Sequence, residues 1–277
     1  MIEESVFAPI VAAALAEDLG ERGDITSLAI IDESSRSTAR VMARAPGVVA
    51  GLPVAAHVFR RVDPDLVFDA GTEGSRVEPG DVVATVAGSS RSILTAERTA
   101  LNLLARMSGV ATATSHLVAA VAGTGARITD TRKTMPGLRA LDKYAVGVGG
   151  GINHRMGLYD QVMIKDNHIV AAGDLRSAVA AARAAVGPET RVIVEVEDLA
   201  QLAEVLATDA DRVLLDNMGP ETLREAVDMV SGQMETEASG GITLENVRQI
   251  AETGVAFISV GWITHSAPQL DLALDFS

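Results

Sequence analysis

Short apolar, β-branched runs recur through the second half of the chain, at Arg127–Thr129, Gln161–Ile164, Val192–Val196, Val213–Leu215 and Ala256–Val260, with a weaker run at Glu235–Ala238. Brief apolar runs without polar alternation read as strands buried on both faces. Helical spacing fills the gaps. Asp174 stands where a cap is favoured, ahead of Leu175, Ala178, Val179, Ala182 and Val186. Leu199, Leu202, Val205 and Leu206 repeat at three and four, and Pro220 suits the first position of a helix carrying Leu223, Ala226, Val227 and Val230. Thr243 offers a cap to Leu244, Val247 and Ile250. The last strand-to-strand steps, about 20–23 residues, demand parallel strands with right-handed crossovers. Six such units fall short of the eight in a closed barrel, so the pattern predicts an α/β fold with an irregular or incomplete β/α barrel.

The first hundred residues follow another rhythm. Ala39–Ala43 and Val48–Gly51 flank a Pro46-Gly47 turn, Val77–Ala87 contains a Pro-Gly turn into a strand, and Thr95–Met107 has helical spacing. This predicts an N-terminal α+β domain over residues 1–110 and a barrel over 111–277, with the extreme C-terminus packing back on the N-terminal domain. Residues 6–16 are apolar enough to resemble a signal peptide core, but Glu3 and Glu4 precede them without Lys or Arg. An amphipathic first helix is expected instead. No run reaches the roughly 18 apolar residues of a membrane span, and a cytoplasmic protein is expected.

Composition narrows the chemistry. The chain of 277 residues has no cysteine, which removes disulfides, thiolate metal sites and a thiol nucleophile. Aromatic residues make up only 3%, too few for a surface built on base stacking. A net charge of −14 repels nucleic acid and anionic membrane. Residues 130–170 are nonetheless net basic, with Arg132, Lys133, Arg139, Lys143, Arg155 and Lys165 against four aspartates. Such an island reads as a site for a small anion or as surface ion pairing.

Polar groups follow the strand candidates at what would be their C-terminal ends, where barrel sites lie. In order these are Asp130, Arg132 and Lys133; Lys165-Asp166-Asn167-His168; Glu195 and Glu197; Asp216-Asn217; Glu237 to Gly241; and Gly261. Ser239-Gly240-Gly241 and Gly261 suit phosphate binding by backbone N–H groups, with a helix starting near Thr243 aimed at that point. Gly149-Gly150-Gly151 lacks dinucleotide-binding spacing because Ile152 takes the last glycine place, and reads as a tight turn presenting His154 and Arg155. The five histidines show no metal-ligand spacing, whereas Glu195 and Asp216 could anchor Mg²⁺ carried by a phosphorylated substrate.

Several ordered motifs together resemble the quinolinate phosphoribosyltransferase family. They are Glu17-Asp18-Leu19-Gly20 with Gly23-Asp24-Ile25-Thr26, Glu97-Arg98-Thr99, Asp130-Thr131-Arg132-Lys133-Thr134, Asn153-His154-Arg155, Ile164 to His168, Leu215-Asp216-Asn217 and Glu237 to Gly241. The resemblance runs from about residue 8 to the end. It implies transfer of phosphoribosyl from phosphoribosyl pyrophosphate to quinolinate with Mg²⁺, releasing pyrophosphate and carbon dioxide and giving nicotinate mononucleotide. It also implies a role for each residue. Arg98, Arg132, Lys133, His154, Arg155 and Lys165 would bind the quinolinate carboxylates, with Arg98 supplied by the partner of a homodimer. Lys133, Glu195 and Asp216 would be the catalytic set. Glu195, Asp216, Ser239, Gly240 and Gly261 would hold phosphoribosyl pyrophosphate. Gly147 stands where relatives often carry arginine, and Trp262 where a small residue is more usual. Rival readings are a molybdenum-transport-associated paralogue acting on another heteroaromatic acid, a Schiff-base lyase using Lys165, and a non-catalytic sensor of quinolinate.

Overall fold

The structure, a computed structural model, describes residues 2–276. Its strands in chain order are β1 (Arg36–Ala43), β2 (Gly47–Val48), β3 (Val67–Ala70), β4 (Arg76–Val77), β5 (Val82–Ser89), β6 (Arg127–Thr129), β7 (Val162–Ile164), β8 (Val192–Val196), β9 (Arg212–Asp216), β10 (Glu235–Ser239), β11 (Phe257–Ser259) and β12 (Leu272–Phe276). The chain forms two compact units. One comprises the chain up to Ser115, Thr134–Gly150 and the residues from Ile263 onward; the other comprises His116–Lys133 and Gly151–Trp262.

In the second unit six parallel strands run in the order β6-β11-β10-β9-β8-β7. That order is sequential around a barrel, with β6 brought beside the last strand, and no described pairing closes the seam between β6 and β7. The expected α/β fold with an incomplete barrel is what forms. Val192–Val194, Val213, Leu215 and Ile258 are almost wholly buried, as strands covered on both faces require. Between strands, Asp174 caps Leu175–Val186 by accepting the Ser177 N–H at 2.9 Å, and Asp198 caps Leu199–Val205 through Gln201 at 2.8 Å. Pro220 opens Pro220–Val230 as expected. The helix expected from Thr243 begins only at Val247 and ends at Ala251. The Asn246 side chain captures the Thr243 N–H at 2.8 Å and donates to Gly241 O at 2.8 Å, so the intervening residues close a turn.

The first unit carries a four-stranded sheet, β12-β1-β5-β3, antiparallel throughout. Its β12 strand comes from the C-terminus and pairs Ala39–Ala43 with Leu272–Phe276. The second strand expected beside Pro46 shrinks to Gly47–Val48 and pairs with β4. Gly51 then turns the chain with φ +105°, a conformation L residues rarely adopt, and the helix Leu52–Val62 starts there. The helix expected over Thr95–Met107 is longer, running from Ser90 to Ala120. The N-terminal helix Glu4–Leu19 buries Phe7, Val11 and Leu15, one face at i, i+4, i+8. Among the described residues no helix is long and apolar enough to cross a membrane.

Within this unit Arg106 grips the buried Asp142 with two hydrogen bonds of 3.0 and 2.9 Å. Burial alone pushes the Asp142 carboxyl up from its ordinary value. The same helix, Arg139–Val148, contains the exposed Gly147, whose added Cβ would meet nothing within 4 Å. Glycine inside a helix costs backbone entropy that alanine does not. Gly147→Ala is therefore expected to raise unfolding stability by about 0.5–1 kcal/mol in urea titration; an unchanged or lowered midpoint would show that the glycine is needed there.

Candidate active site

Parallel strands deliver every strand-to-helix loop of the barrel to one end. There the structure opens a cleft of about 410 Å³, the size of a small-molecule site. Of the residues singled out in the sequence, Arg132, Lys133, His154, Arg155, Lys165, Glu195, Asp216 and Ser239 line it. Sheet register explains the grouping of the acids. Glu195, Leu214 and Glu237 share one rung of β8, β9 and β10, and Asp216 and Ser239 share a later one. Side chains two apart on a strand face the same way, so all five present one face.

Several of the polar side chains have an identifiable support. Lys165 makes an ion pair with Glu195, and its own N–H is accepted by His168 Nδ1 at 3.1 Å. This geometry gives no support to a Schiff-base role, which needs an uncharged amine. Asn217, with φ +54°, turns back to donate to Asp216 Oδ2 at 2.7 Å. The same Asn217 explains Gly240: a Cβ there would lie 2.1 Å from Asn217 Oδ1, and φ at Gly240 is +92°. Asp160 accepts the N–H groups of Met156 and Gly157 at 2.6 and 2.8 Å, ordering the loop after Arg155. Burial and the neighbouring charge of Arg132 draw the Arg155 pKa down. Trp262 packs half-buried and its Nε1 donates to Ile242 O at 3.1 Å, tying the glycine-rich segment to the end of β11.

Three of the expected residues do not line the cleft. Gly240 and Gly261 follow its Ser239 and Ser259 in sequence, and Arg98 lies in a different cleft with Leu101, Asn102 and Gln269 to Leu272. The anticipated helix start beside the glycines is also missing, because Val247–Ala251 begins after the Asn246 turn.

Thr131, Met163, Leu214, Glu237 and Ser259 complete the lining; none was given a role, and Thr131 and Glu237 appeared only within the motifs Asp130 to Thr134 and Glu237 to Gly241. Glu237 is the most consequential. It has no exposed surface, yet it is surrounded by donors. Arg212 Nη1 donates to Oε2 at 2.9 Å, the Ser259 hydroxyl donates to Oε1, and His154 Nε2 stands 3.4 Å from Oε1. Arg212 in turn bonds Glu235 at 2.7 Å and lies 3.6 Å over the Phe257 ring. The available signal was an acid in the middle of a strand, paired across the sheet with an arginine of the preceding strand.

These features describe an enzyme of the strand-end α/β type with a cationic cleft and an acidic wall. Family models agree: the quinolinate phosphoribosyl transferase N-terminal domain matches residues 24–108 and the C-terminal domain matches residues 110–275. The chain belongs to the quinolinate phosphoribosyl transferase family. It is 46% identical to a nicotinate-nucleotide pyrophosphorylase (carboxylating) of Mycobacterium leprae, covering 95% of this chain and 94% of the relative. It is 43% identical to quinolinate phosphoribosyltransferase (decarboxylating) 1b of Nicotiana tabacum, covering 96% and 81%. Among solved structures, NadC from Streptococcus pyogenes superposes with a TM-score of 0.95 at 38% identity, covering 100% of this chain and 99% of that one. The nicotinate-nucleotide pyrophosphorylase from Francisella tularensis gives 0.96 at 37%, covering 100% and 98%.

Burial would raise the Glu237 pKa, but the neighbouring His154 ring, with the Ser259 hydroxyl and Arg212, holds it below the ordinary 4.5. A carboxyl depressed on folding contributes stability above its unfolded pKa and loses it as pH falls through the folded value. Urea stability of the wild type is therefore expected to drop as pH falls below about 4.5. Glu237→Gln should be less stable at neutral pH but flatter across that acid range. An equal acid slope in the variant would show that Glu237 is not ionised in the fold.

Proposed function

We propose that the protein transfers the phosphoribosyl group of phosphoribosyl pyrophosphate to the ring nitrogen of quinolinate, yielding nicotinate mononucleotide, pyrophosphate and carbon dioxide. The observation that carries this is the cleft itself, where four cations, Arg132, Lys133, Arg155 and Lys165, face the same space as Glu195 and Asp216. Quinolinate is a dianion, and planar guanidinium groups suit bidentate pairing with carboxylates. A site built only to hold a dicarboxylate would gain nothing from two acids. A sugar with hydroxyls to be held, and positive charge developing at its anomeric carbon, gives both acids a task. Ser239, Gly240 and Gly261 are assigned to the 5′-phosphate, through the hydroxyl and backbone N–H groups of the glycine-rich segment.

The reaction needs no protein nucleophile. The pyridine nitrogen attacks the anomeric carbon as the bond to pyrophosphate breaks. The quaternised ring then accepts the electron pair left when the adjacent carboxylate departs as carbon dioxide, and that ring carbon takes a proton. Lys133 and the arginines orient the ring and compensate its charge, so the protein acts by positioning and electrostatics. Glu195 and Asp216 line one cleft, and no group of three or more ligating side chains forms among the described residues. That donor set suits a Mg²⁺ arriving with the diphosphate, where it would neutralise leaving-group charge.

The assembly is proposed as a homodimer in which Arg98 of one subunit completes the cleft of its partner. Its side chain is 63% exposed and lines a separate cleft with Leu101, Asn102 and Gln269 to Leu272. The working division of the chain near residue 110 is supported by the junction between the two family domains.

Purified protein with phosphoribosyl pyrophosphate and Mg²⁺ is expected to consume quinolinate and not nicotinic acid. Product from nicotinic acid alone would overturn the dicarboxylate reading. Arg132→Ala and Lys133→Ala should each lower kcat/KM for quinolinate by about 10–100-fold, since each leaves a carboxylate without a charged partner; normal turnover by both would remove the site assignment. Mixed dimers of Arg98→Ala and Lys165→Ala subunits should regain activity that neither parent has. No recovery in verified mixed dimers would exclude a shared site.

A further inference from the structure

We infer that Glu237 is a positioning residue for His154, whose ring, denied a proton on Nδ1 by the Arg155 N–H, stands as the neutral Nε2-protonated imidazole facing that carboxylate, so that acid recognition in the cleft rests on Arg132, Lys133, Arg155 and Lys165 and not on a histidine cation. This deepens the functional reading above and rests on it for its kinetic consequences. The argument begins at a backbone group that can only donate. The Arg155 N–H points at His154 Nδ1 with a separation of 2.7 Å. Nδ1 must therefore offer its lone pair, because a proton there would face another proton. The ring proton then sits on Nε2, and Nε2 faces Glu237 Oε1 at 3.4 Å. An imidazolium would have to give up the Arg155 contact.

The surroundings reinforce the assignment. His154 and Glu237 are both buried, and the His154 N–H is itself fixed by Asp130 Oδ1 at 2.8 Å. Glu237 is held on its other oxygen by Arg212, and the Ser259 hydroxyl shares Oε1 with His154. The order of support is thus Glu237 to the His154 ring, the ring to the Arg155 backbone, and Arg155 to the cleft. The imidazole acts through Arg155, much as an outer partner fixes a ring tautomer in other sites.

Asparagine separates this reading from a cationic one. Its Oδ1 can take the place of Nδ1 as acceptor for the Arg155 N–H, but it cannot carry charge. His154→Asn is expected to retain about tenfold more kcat/KM for quinolinate than His154→Ala, the difference appearing in KM for quinolinate. Glu237→Gln should likewise raise KM for quinolinate about tenfold, with KM for phosphoribosyl pyrophosphate within about twofold. Equal losses in the Asn and Ala variants would overturn the inference. A second measurement needs neither turnover nor a variant fold. Nitrogen-15 NMR of the wild type near neutral pH, with the His154 signal identified by its loss in His154→Asn, should show the Nε2–H tautomer. An imidazolium or Nδ1–H pattern would refute the proposal even in fully active protein. The neutral pattern in a protein that does not use quinolinate would uphold the local geometry and overturn only the functional reading.

Discussion

An ionised carboxylate with no contact to water is the demand around which this barrel is arranged. Removing such a charge from solvent costs several kcal/mol unless partners replace the water. Glu237 meets that cost with Arg212 from β9, Ser259 from β11 and His154 from the loop following the Thr129–Ile152 bridge. These segments are far apart in sequence, so satisfying one carboxylate helps fix the mutual register of β9, β10 and β11. Arg212 extends the lock outward, bonding Glu235 and covering Phe257. A polar anchor of this kind contributes little net stability compared with an apolar core, but it penalises wrong registers heavily.

The cleft inherits its layout from that lock. With Glu237 neutralised by partners within its own layer, the acids of the neighbouring strands face the cleft in a different state. Asp216 is held by Asn217, and Glu195 is paired with Lys165, whose side chain is 41% exposed. The charges that would meet substrates are therefore held by partners at the strand ends, whereas the Glu237 charge is enclosed within the fold. Such a division suits chemistry in which an anionic ring is bound first by cations and then itself becomes cationic. Oriented groups that need no rearrangement as charge develops are what positioning catalysis requires.

How much of this could be read from the chain differs by feature, and for physical reasons. The β8 and β9 strands were legible because runs such as Val192–Val196 must be apolar on both faces. Most cleft residues were legible for a related reason, since parallel strands gather their C-terminal ends and leave polar residues there conspicuous. The β10 strand was only weakly visible: its sequence, Glu-Thr-Glu-Ala-Ser, is mostly polar, and the Arg212 side chain of β9 bonds both of its acids. That pairing spans 25 residues and leaves no periodic trace. The late helix start failed for a local reason. Thr243 has the chemistry of a cap, but the Asn246 side chain competes for its backbone and wins.

Gly240 shows how these levels meet at one atom. Its positive φ alone would admit asparagine at modest cost, but the space where a Cβ belongs is filled by the Asn217 side chain. Asn217 is there because it must reach back to Asp216, which it does only by adopting a left-handed conformation itself. The glycine is thus required less by the phosphate assigned to it than by the carboxylate one strand away. Crowding at the junction couples the acidic wall to the glycine-rich segment: neither can shift without displacing Asn217. On the other side, Trp262 secures the same segment through Ile242. Trp262 therefore extends a clamp that the acid–asparagine–glycine contact begins, and it does so without lining the cleft.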